Sequence, residues 1–327
     1  MNQPLPSAQS LPTLSIVVPV YNSAATLDEL VARLETVLPG LAGEFEIILV
    51  NDGSRDESWP RIAALAAKSR RVIGVNLMRN YGQHNALLCG IRKARGTVIV
   101  TLDDDLQHPP EEIPKLLDQL AHGYDVVYGV PEKMPHSWWR NLFSYVTKRV
   151  LAFTMGISSI REVAAFRAFR SDLRRAFADY RSPNVQIDVL LSWGTTRFAT
   201  VQVREDARKA GESGYTFSKL VKYALTILTG FSTAPLRFTN MIGFLFTLIG
   251  VGVFIYVLGV YFLLGSIPGF PFLASIISIF SGTQLFALGI IGEYLARVFY
   301  RSMDRPPYII GEATGDERQP VQSGWSN

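Results

Sequence analysis

Two apolar periods alternate along the first two-thirds of the chain. Short runs rich in Val, Ile and Leu fall at residues 14–20, 45–50, 72–77, 98–102, 126–128 and 198–203. Turn-forming or polar residues flank most of these runs, which predict buried strands. Between them, apolar positions recur three and four apart. Residues 27–38 carry Leu27, Leu30, Val31, Leu34, Val37 and Leu38 at that spacing and predict a helix. Residues 58–67, 83–94, 113–121 and 185–193 also read as helical, the last carrying Gln186 and Asp188. Strands alternating with helices predict an α/β fold, a mostly parallel sheet with helices on both faces.

The pattern then changes. From Phe238 to Gly292 the chain runs 55 residues without Asp, Glu, Lys, Arg or His. About 20 apolar residues cross a bilayer, so this stretch predicts two transmembrane helices, 238–264 and 272–292. Ser266-Ile267-Pro268-Gly269, with Pro271, supplies the turn between them. Arg208, Lys209, Lys219, Lys222 and Arg237 precede the stretch, Arg297, Arg301 and Arg305 follow it, and the turn has no basic residue. The positive-inside rule therefore predicts both termini in the cytoplasm and the turn outside. Glu293 and Arg297 stand four apart and support the second helix where it leaves the membrane.

Two amphipathic stretches come earlier. Residues 138–154 set Trp138, Trp139, Phe143 and Phe153 among Arg140, Lys148 and Arg149, and residues 216–228 set Lys219 and Lys222 beside Leu220, Ala224, Leu225 and Leu228. Both predict helices lying at a membrane surface. The expected organisation is a flexible tail over 1–12, an α/β domain over 13–215, a juxtamembrane helix over 216–236, a two-helix membrane region over 237–300 and a cytoplasmic tail over 301–327, disordered from Gly311.

Composition narrows the classes. Hydrophobic residues make up 48% and charged residues 18%, which is low in charge for a soluble protein. The net charge of +4 comes without a Lys/Arg cluster interleaved with aromatics, so no nucleic-acid partner is expected. The single cysteine, Cys89, excludes an intrachain disulfide and a cysteine zinc site, and reads as a packed helix residue. Residues 1–11 lack the basic start and apolar core of a signal peptide, so the α/β domain is expected on the cytoplasmic face of the inner membrane.

The candidate chemistry gathers where strands end. Ligands of parallel α/β sheets bind beyond the carboxyl ends of the strands. Here those ends carry Tyr21-Asn22, Asp52-Gly53, Arg79-Asn80 and Asp103-Asp104-Asp105, the last within GTVIVTLDDDLQHPP at 96–110. Crowded carboxylates are costly, and a divalent cation offsets the cost; hard oxygen ligands suit Mg²⁺ or Mn²⁺. Alternation along an extended chain sends Asp103 and Asp105 to one side and Asp104 to the other, with Gln107 continuing the first side. Asp103, Asp105 and Gln107 are therefore the candidate metal ligands, and Asp103 and Asp105 candidate catalytic residues. There is no G-x-G-x-x-G after the first strand and no P-loop, so dinucleotide oxidoreductases and P-loop enzymes lose their support. The rim still suits a nucleotide: Asp52 can accept from a base or ribose, Tyr21 can stack, and a metal would hold a diphosphate. Asn22, Asn80, His84 and Asp104 complete the candidate rim. In the loop REDARKAGESGY at 204–215, Arg208 with Lys209 can grip a diphosphate, because a guanidinium fork matches phosphate oxygens.

Four motifs resemble one family. PVYN at 19–22, NDGS at 51–54, RNYGQHNA at 79–86 and TLDDDLQHPPEEIP at 101–114 resemble the family 2 glycosyltransferases, and within them those acting on polyprenyl phosphates. The resemblance covers residues 13–310. It implies a GT-A fold, Rossmann-like and mostly parallel, followed by the two transmembrane helices. It implies that Asp103, Asp105 and Gln107 face a metal and diphosphate, and that Pro19, Tyr21 and Asp52 hold a nucleoside. The family's R-x-x-G-E-S-K-Y matches Arg208, Gly211, Glu212, Ser213 and Tyr215, with Gly214 where Lys is usual. It makes Arg208 catalytic and adds Lys209, Ser213 and Arg167 as phosphate or acceptor contacts. Ser23 stands where Glu is common, Asp104 where Ala is common, and Glu162 near an expected Asp. Similar proteins form tetramers, which implies a homo-oligomer.

The function expected is an inverting, metal-dependent, membrane-anchored glycosyltransferase. Its donor would be a nucleotide sugar, UDP-linked, and its acceptor a polyprenyl phosphate in the inner leaflet. A phosphate acceptor is largely dianionic at neutral pH, with a second pKa of about 6, so no strong general base is required. Two alternatives differ in class. A processive polysaccharide synthase would carry a Q-x-x-R-W motif and more spans, and neither is present. A silent membrane scaffold would have no use for the aspartate set.

Overall fold

The central strands form because β-branched runs bury side chains on both faces of a sheet. The computed structural model describes residues 13–131, 163–206, 234–264 and 269–315. Its elements in chain order are β1 (Thr13–Val20), α1 (Leu27–Val37), β2 (Glu44–Asn51), α2 (Ser58–Lys68), β3 (Val72–Leu77), α3 (Gln83–Lys93), β4 (Val98–Thr101), α4 (Ile113–Ala121), β5 (Val126–Pro131), β6 (Arg167–Arg170), α5 (Ile187–Ser192), β7 (Phe198–Val203), α6 (Ala234–Leu264), α7 (Phe270–Ser302) and β8 (Ile310–Thr314). The eight strands make one sheet in the order β7-β5-β6-β4-β1-β2-β3-β8. β3, β2, β1 and β4 run parallel, as do β5 and β7, whereas β6 and β8 run antiparallel to their neighbours. The predicted α/β, mostly parallel sheet is present.

Alternation within β1 divides the core. Leu14, Ile16, Val18 and Val20 face Leu27, Leu30 and Leu34 of α1, Ile62 of α2 and Ile113 of α4. Val17 faces the opposite layer, where a Cβ on Gly90 of α3 would collide with it. Glycine at that position lets α3 lie against the sheet, and Asn85 through Ile91 are buried there. Both faces are covered, as a parallel sheet requires.

Two strands escape the sequence reading. β6 begins with a buried charge, Arg167, which disguises a four-residue strand. β8 lies in the expected tail, so residues 310–314 are not disordered: they pair antiparallel with β3, Gly74 opposite Thr314 and Leu77 opposite Ile310. Trp59 Nε1 of α2 donates to Glu312 Oε2 at 3.1 Å across this edge. β8 is mostly exposed and lacks apolar alternation, so main-chain pairing rather than side-chain burial holds it.

The chain divides into two compact units, Met1–Gly214 with Arg305–Asn327, and Tyr215–Asp304. The second unit contains α6 and α7, which cover the two segments expected to span a membrane. Among the described residues no helix is long and apolar enough to cross a membrane. The amphipathic stretches 138–154 and 216–228, the tail 1–12 and the turn at 266–268 lie outside the described residues.

Candidate active site

Parallel register brings the strand ends to one rim. Val20 at the end of β1 pairs with Asn51 at the end of β2, and Thr101 at the end of β4 pairs with Val17. Beyond these ends lies a cleft of about 240 Å³. Pro19 and Val20 of β1, Tyr21 just beyond it and Asp52 just beyond β2 line this cleft. Asn80, Gly82 and Gln83 come from the entry to α3, and Asp103, Asp104 and Asp105 from the exit of β4.

The NDGS turn and the entry to α3 are locked together. Asp52, 3% exposed, accepts from the backbone N–H of Tyr81 at 2.7 Å and of Gly82 at 2.8 Å. Burial raises its pKa, and the two N–H groups work against that rise. Gly53 has φ +66, and a Cβ there would strike the backbone of Arg79 and Asn80. Only glycine combines that conformation with so close an approach. Asp52, expected to reach a base or ribose, thus also fixes the loop that carries Asn80.

The three acids do not continue the strand. β4 ends at Thr101, and Asp104 and Asp105 lie in a turn, with Leu106 at φ 60. Period-two alternation therefore stops before it can sort them, and all three line the same cleft. Their carboxylates still have different partners. Gln83 Nε2 donates to Asp103 Oδ1 at 2.6 Å. Asp104 Oδ2 accepts from the Tyr21 N–H at 3.1 Å, and burial raises its pKa against the opposing Ser23 hydroxyl and Tyr21 N–H. Asp105 Oδ1 accepts from the Gln107 N–H at 3.1 Å.

Four candidates stand elsewhere than expected. Gln107 is not part of the cleft lining; its Nε2 donates to Glu205 Oε1 at 3.3 Å and its carbonyl accepts from the Asp206 N–H at 2.8 Å, tying the acid turn to the exit of β7. Asn22 latches the NDGS turn, accepting from the Arg55 N–H at 2.8 Å and donating its own N–H to Ser54 Oγ at 2.9 Å. His84 Nδ1 accepts from the Ile187 N–H at 3.4 Å, at the start of α5. Desolvation pushes its imidazole down to about 4, and nearby Arg167 adds to this while Asp188 opposes it.

Arg167, expected near an acceptor phosphate, is 2% exposed. Its Nη1 donates to Asp188 Oδ1, and its Nε donates to Thr101 Oγ1 at 3.1 Å. The Tyr128 hydroxyl donates to the same Asp188 oxygen at 3.0 Å. Burial works against the Arg167 charge, but the Asp188 carboxylate and Asp103 hold it on the guanidinium. Arg167 is thus an interior counter-charge beneath the acid turn. Arg208, Lys209 and Ser213 lie outside the described residues.

Val20, Gly82 and Gln83 line the cleft without having been candidates, and of these Gln83 has the polar side chain. Its only signal was position: it follows the Gly82 turn and opens a helix beside Asn80. Among the described residues, no three His, Cys, Asp or Glu side chains are arranged to hold a metal. Asp103 and Asp105 supply hard oxygens from one turn, which fits a cation that keeps water and substrate oxygens in the rest of its shell.

Residues 15–178 match the model of Glycosyl transferase family 2. The undecaprenyl-phosphate 4-deoxy-4-formamido-L-arabinose transferase of Shewanella sediminis is 35% identical over 319 residues, covering 95% of this chain and 96% of that protein. The protein of that name from Pseudomonas paraeruginosa is 35% identical over 91% of this chain and 89% of its own length. Among solved structures, glucosyl-3-phosphoglycerate synthase from Mycobacterium tuberculosis, in complex with Mn²⁺, uridine diphosphate and phosphoglyceric acid, superposes with a TM-score of 0.50 at 20% identity, over 67% of this chain and 76% of that one. This last likeness concerns the fold.

Proposed function

The chain belongs to glycosyltransferase family 2, and from that membership we propose that it transfers a sugar from a nucleotide, UDP-linked, to undecaprenyl phosphate. The relatives named for that acceptor match nearly the whole chain, the long apolar segments included. The observation that carries the reading is the cleft itself, where Asp52, Asp103 and Asp105 converge from two parallel strand ends.

The site's parts divide the work. Tyr21, 46% exposed at the mouth, offers a ring face to a base, and Pro19 and Val20 floor the same end. Asp52 holds the α3 entry in place and retains carboxylate lone pairs toward the nucleoside. Asp103 and Asp105 would hold Mg²⁺ or Mn²⁺, which when bound would offset the charge developing on the departing diphosphate. Arg208, in the sequence that follows β7, is proposed to supply a cation for the same charge, with Lys209 and Ser213 as further phosphate contacts. An acceptor phosphate oxygen attacks the anomeric carbon from the face opposite the leaving diphosphate, so configuration inverts. The acceptor needs no protein base, because it reaches the site already ionised.

Residues 238–292 carry no charge and are long enough for two crossings, so α6 and α7 are proposed to anchor the enzyme in the inner membrane with both termini cytoplasmic. A soluble donor and a membrane-bound acceptor meet only at that surface. The tetramer of similar proteins is proposed for this chain as well.

The test offers membranes containing the protein a panel of UDP-sugars, UDP-4-deoxy-4-formamido-L-arabinose first, with undecaprenyl phosphate, and measures glycolipid. Product from one donor, abolished by chelation and restored by Mn²⁺ or Mg²⁺, is the expected result. No product from any member of the panel would refute the reading.

A further inference from the structure

Asp104 is the acid of the trio whose carboxylate is turned toward the β1 exit rather than toward α3. Its Oδ2 accepts from the Tyr21 N–H at 3.1 Å. The Thr26 hydroxyl donates to the Asp104 carbonyl at 2.6 Å, so the acid turn and the β1 exit are joined at two points. The β1 exit needs such a clamp. The chain turns sharply at Asn22, which adopts the left-handed φ of 54 that asparagine tolerates, and Tyr21 beside it is half exposed. The Ser23 hydroxyl in turn donates to the Tyr21 carbonyl at 3.2 Å, so Tyr21 is held through both of its main-chain groups.

We propose that Asp104 is a positioning residue: it holds the Tyr21 backbone so that the Tyr21 ring stands ready for the donor's base, and it takes no part in holding the metal. The inference rests on the cleft taking a nucleotide donor. What the clamp requires of Asp104 is an acceptor oxygen near the Tyr21 N–H, which an amide also supplies. Removing only the carboxylate leaves the Thr26 contact in place, because that contact uses the main chain.

The experiment uses the full-length protein and compares wild type, Asp104→Asn, Asp104→Ala, Tyr21→Ala and the double variant Tyr21→Ala/Asp104→Ala. Calorimetry measures UDP affinity with Mn²⁺ present, and a transfer assay separates donor KM from kcat. Asp104→Asn is expected to match wild type. Asp104→Ala should weaken UDP binding and raise donor KM by roughly fivefold to tenfold, the worth of one ordinary hydrogen bond, with kcat and the Mn²⁺ requirement unchanged. Tyr21→Ala should show the same loss, and the double variant no more than either alone, since both act through one contact. Tyr21 is half exposed, so its variant reads out even where Asp104→Ala fails to fold. Wild-type binding with Asp104→Asn as harmful as Asp104→Ala, a raised Mn²⁺ requirement, a fall in kcat alone, or a Tyr21→Ala variant with normal affinity would each overturn the proposal. Failure of the wild type to bind UDP would instead overturn the donor reading, and the proposal with it.

Discussion

Gln83 Nε2 donates to Asp103 Oδ1 at 2.6 Å, so the first residue of α3 orients the first acid beyond β4. Asp52 fixes the two residues just before Gln83 through the Tyr81 and Gly82 N–H groups. A carboxylate just beyond β2 is thereby linked to a carboxylate beyond β4 through three hydrogen bonds and the α3 entry between them, so Asp103 would meet a cation with its carboxylate already oriented. Gln83→Leu should weaken Mn²⁺ binding roughly tenfold with the melting temperature nearly unchanged. Asp103→Asn or Asp105→Asn should reduce turnover by about 10²–10³. A Mn²⁺ titration of each variant, with and without UDP, checks both; unchanged affinity in Gln83→Leu would leave that hydrogen bond without a role.

The Arg167–Asp188 pair should behave as structure. Each side chain is nearly buried, and removing one leaves the other charge uncompensated, at a cost of about 3–5 kcal/mol. Arg167→Met and Asp188→Leu are each expected to lower the denaturation midpoint sharply, while the double variant recovers part of the loss. Tyr128→Phe removes one donor to the Asp188 carboxylate and should cost about 1.5–3 kcal/mol. Denaturant titration measures all four. A stable Arg167→Met protein defective only in acceptor KM would return Arg167 to the phosphate.

His84 gives the fold an acid sensitivity of known sign. Its folded pKa is pushed down to about 4 from an unfolded value of 6.5, so the unfolded chain binds the proton first. This group's contribution is fully present above pH 6.5 and is lost as pH falls toward 4, amounting to no more than about 3 kcal/mol. His84→Gln should flatten the stability profile across that window, as measured by unfolding at a series of pH values. An unchanged slope would mean that the ring is charged in the native state.

The segment after α7 seals α3. Tyr308 lies against Cys89, and Arg92 stands over the Tyr308 ring at 5.9 Å. Burial pushes the Cys89 thiol up to about 12, so the thiolate that reacts is scarce. Cys89 is the single cysteine, so a thiol reagent reports on this seal alone. Tyr308→Ala, or truncation before Tyr308, should make Cys89 label many times faster under native conditions. Equal labelling rates would show that β8 and Tyr308 are not needed to close this side.

The sequence by itself determined what depends on local period and composition. Apolar spacing located the strands and helices of the α/β unit to within a few residues, because burial on one helix face or both strand faces must be written locally. Clusters of turn and acidic residues at the ends of those strands marked the rim for the same reason, and a charge-free stretch of 55 residues marked the proposed anchor. Tertiary structure decided what depends on partners far along the chain. β8 pairs with a strand more than two hundred residues earlier through its main chain, which leaves no side-chain pattern to read. Arg167 reads as a phosphate ligand until Asp188 and Thr101 enclose it. Alternation failed to sort Asp103, Asp104 and Asp105 because β4 stops at Thr101, and a turn directs side chains by its own geometry. The different duties of the three acids come from Gln83, Tyr21 and Gln107, which only folding brings to them.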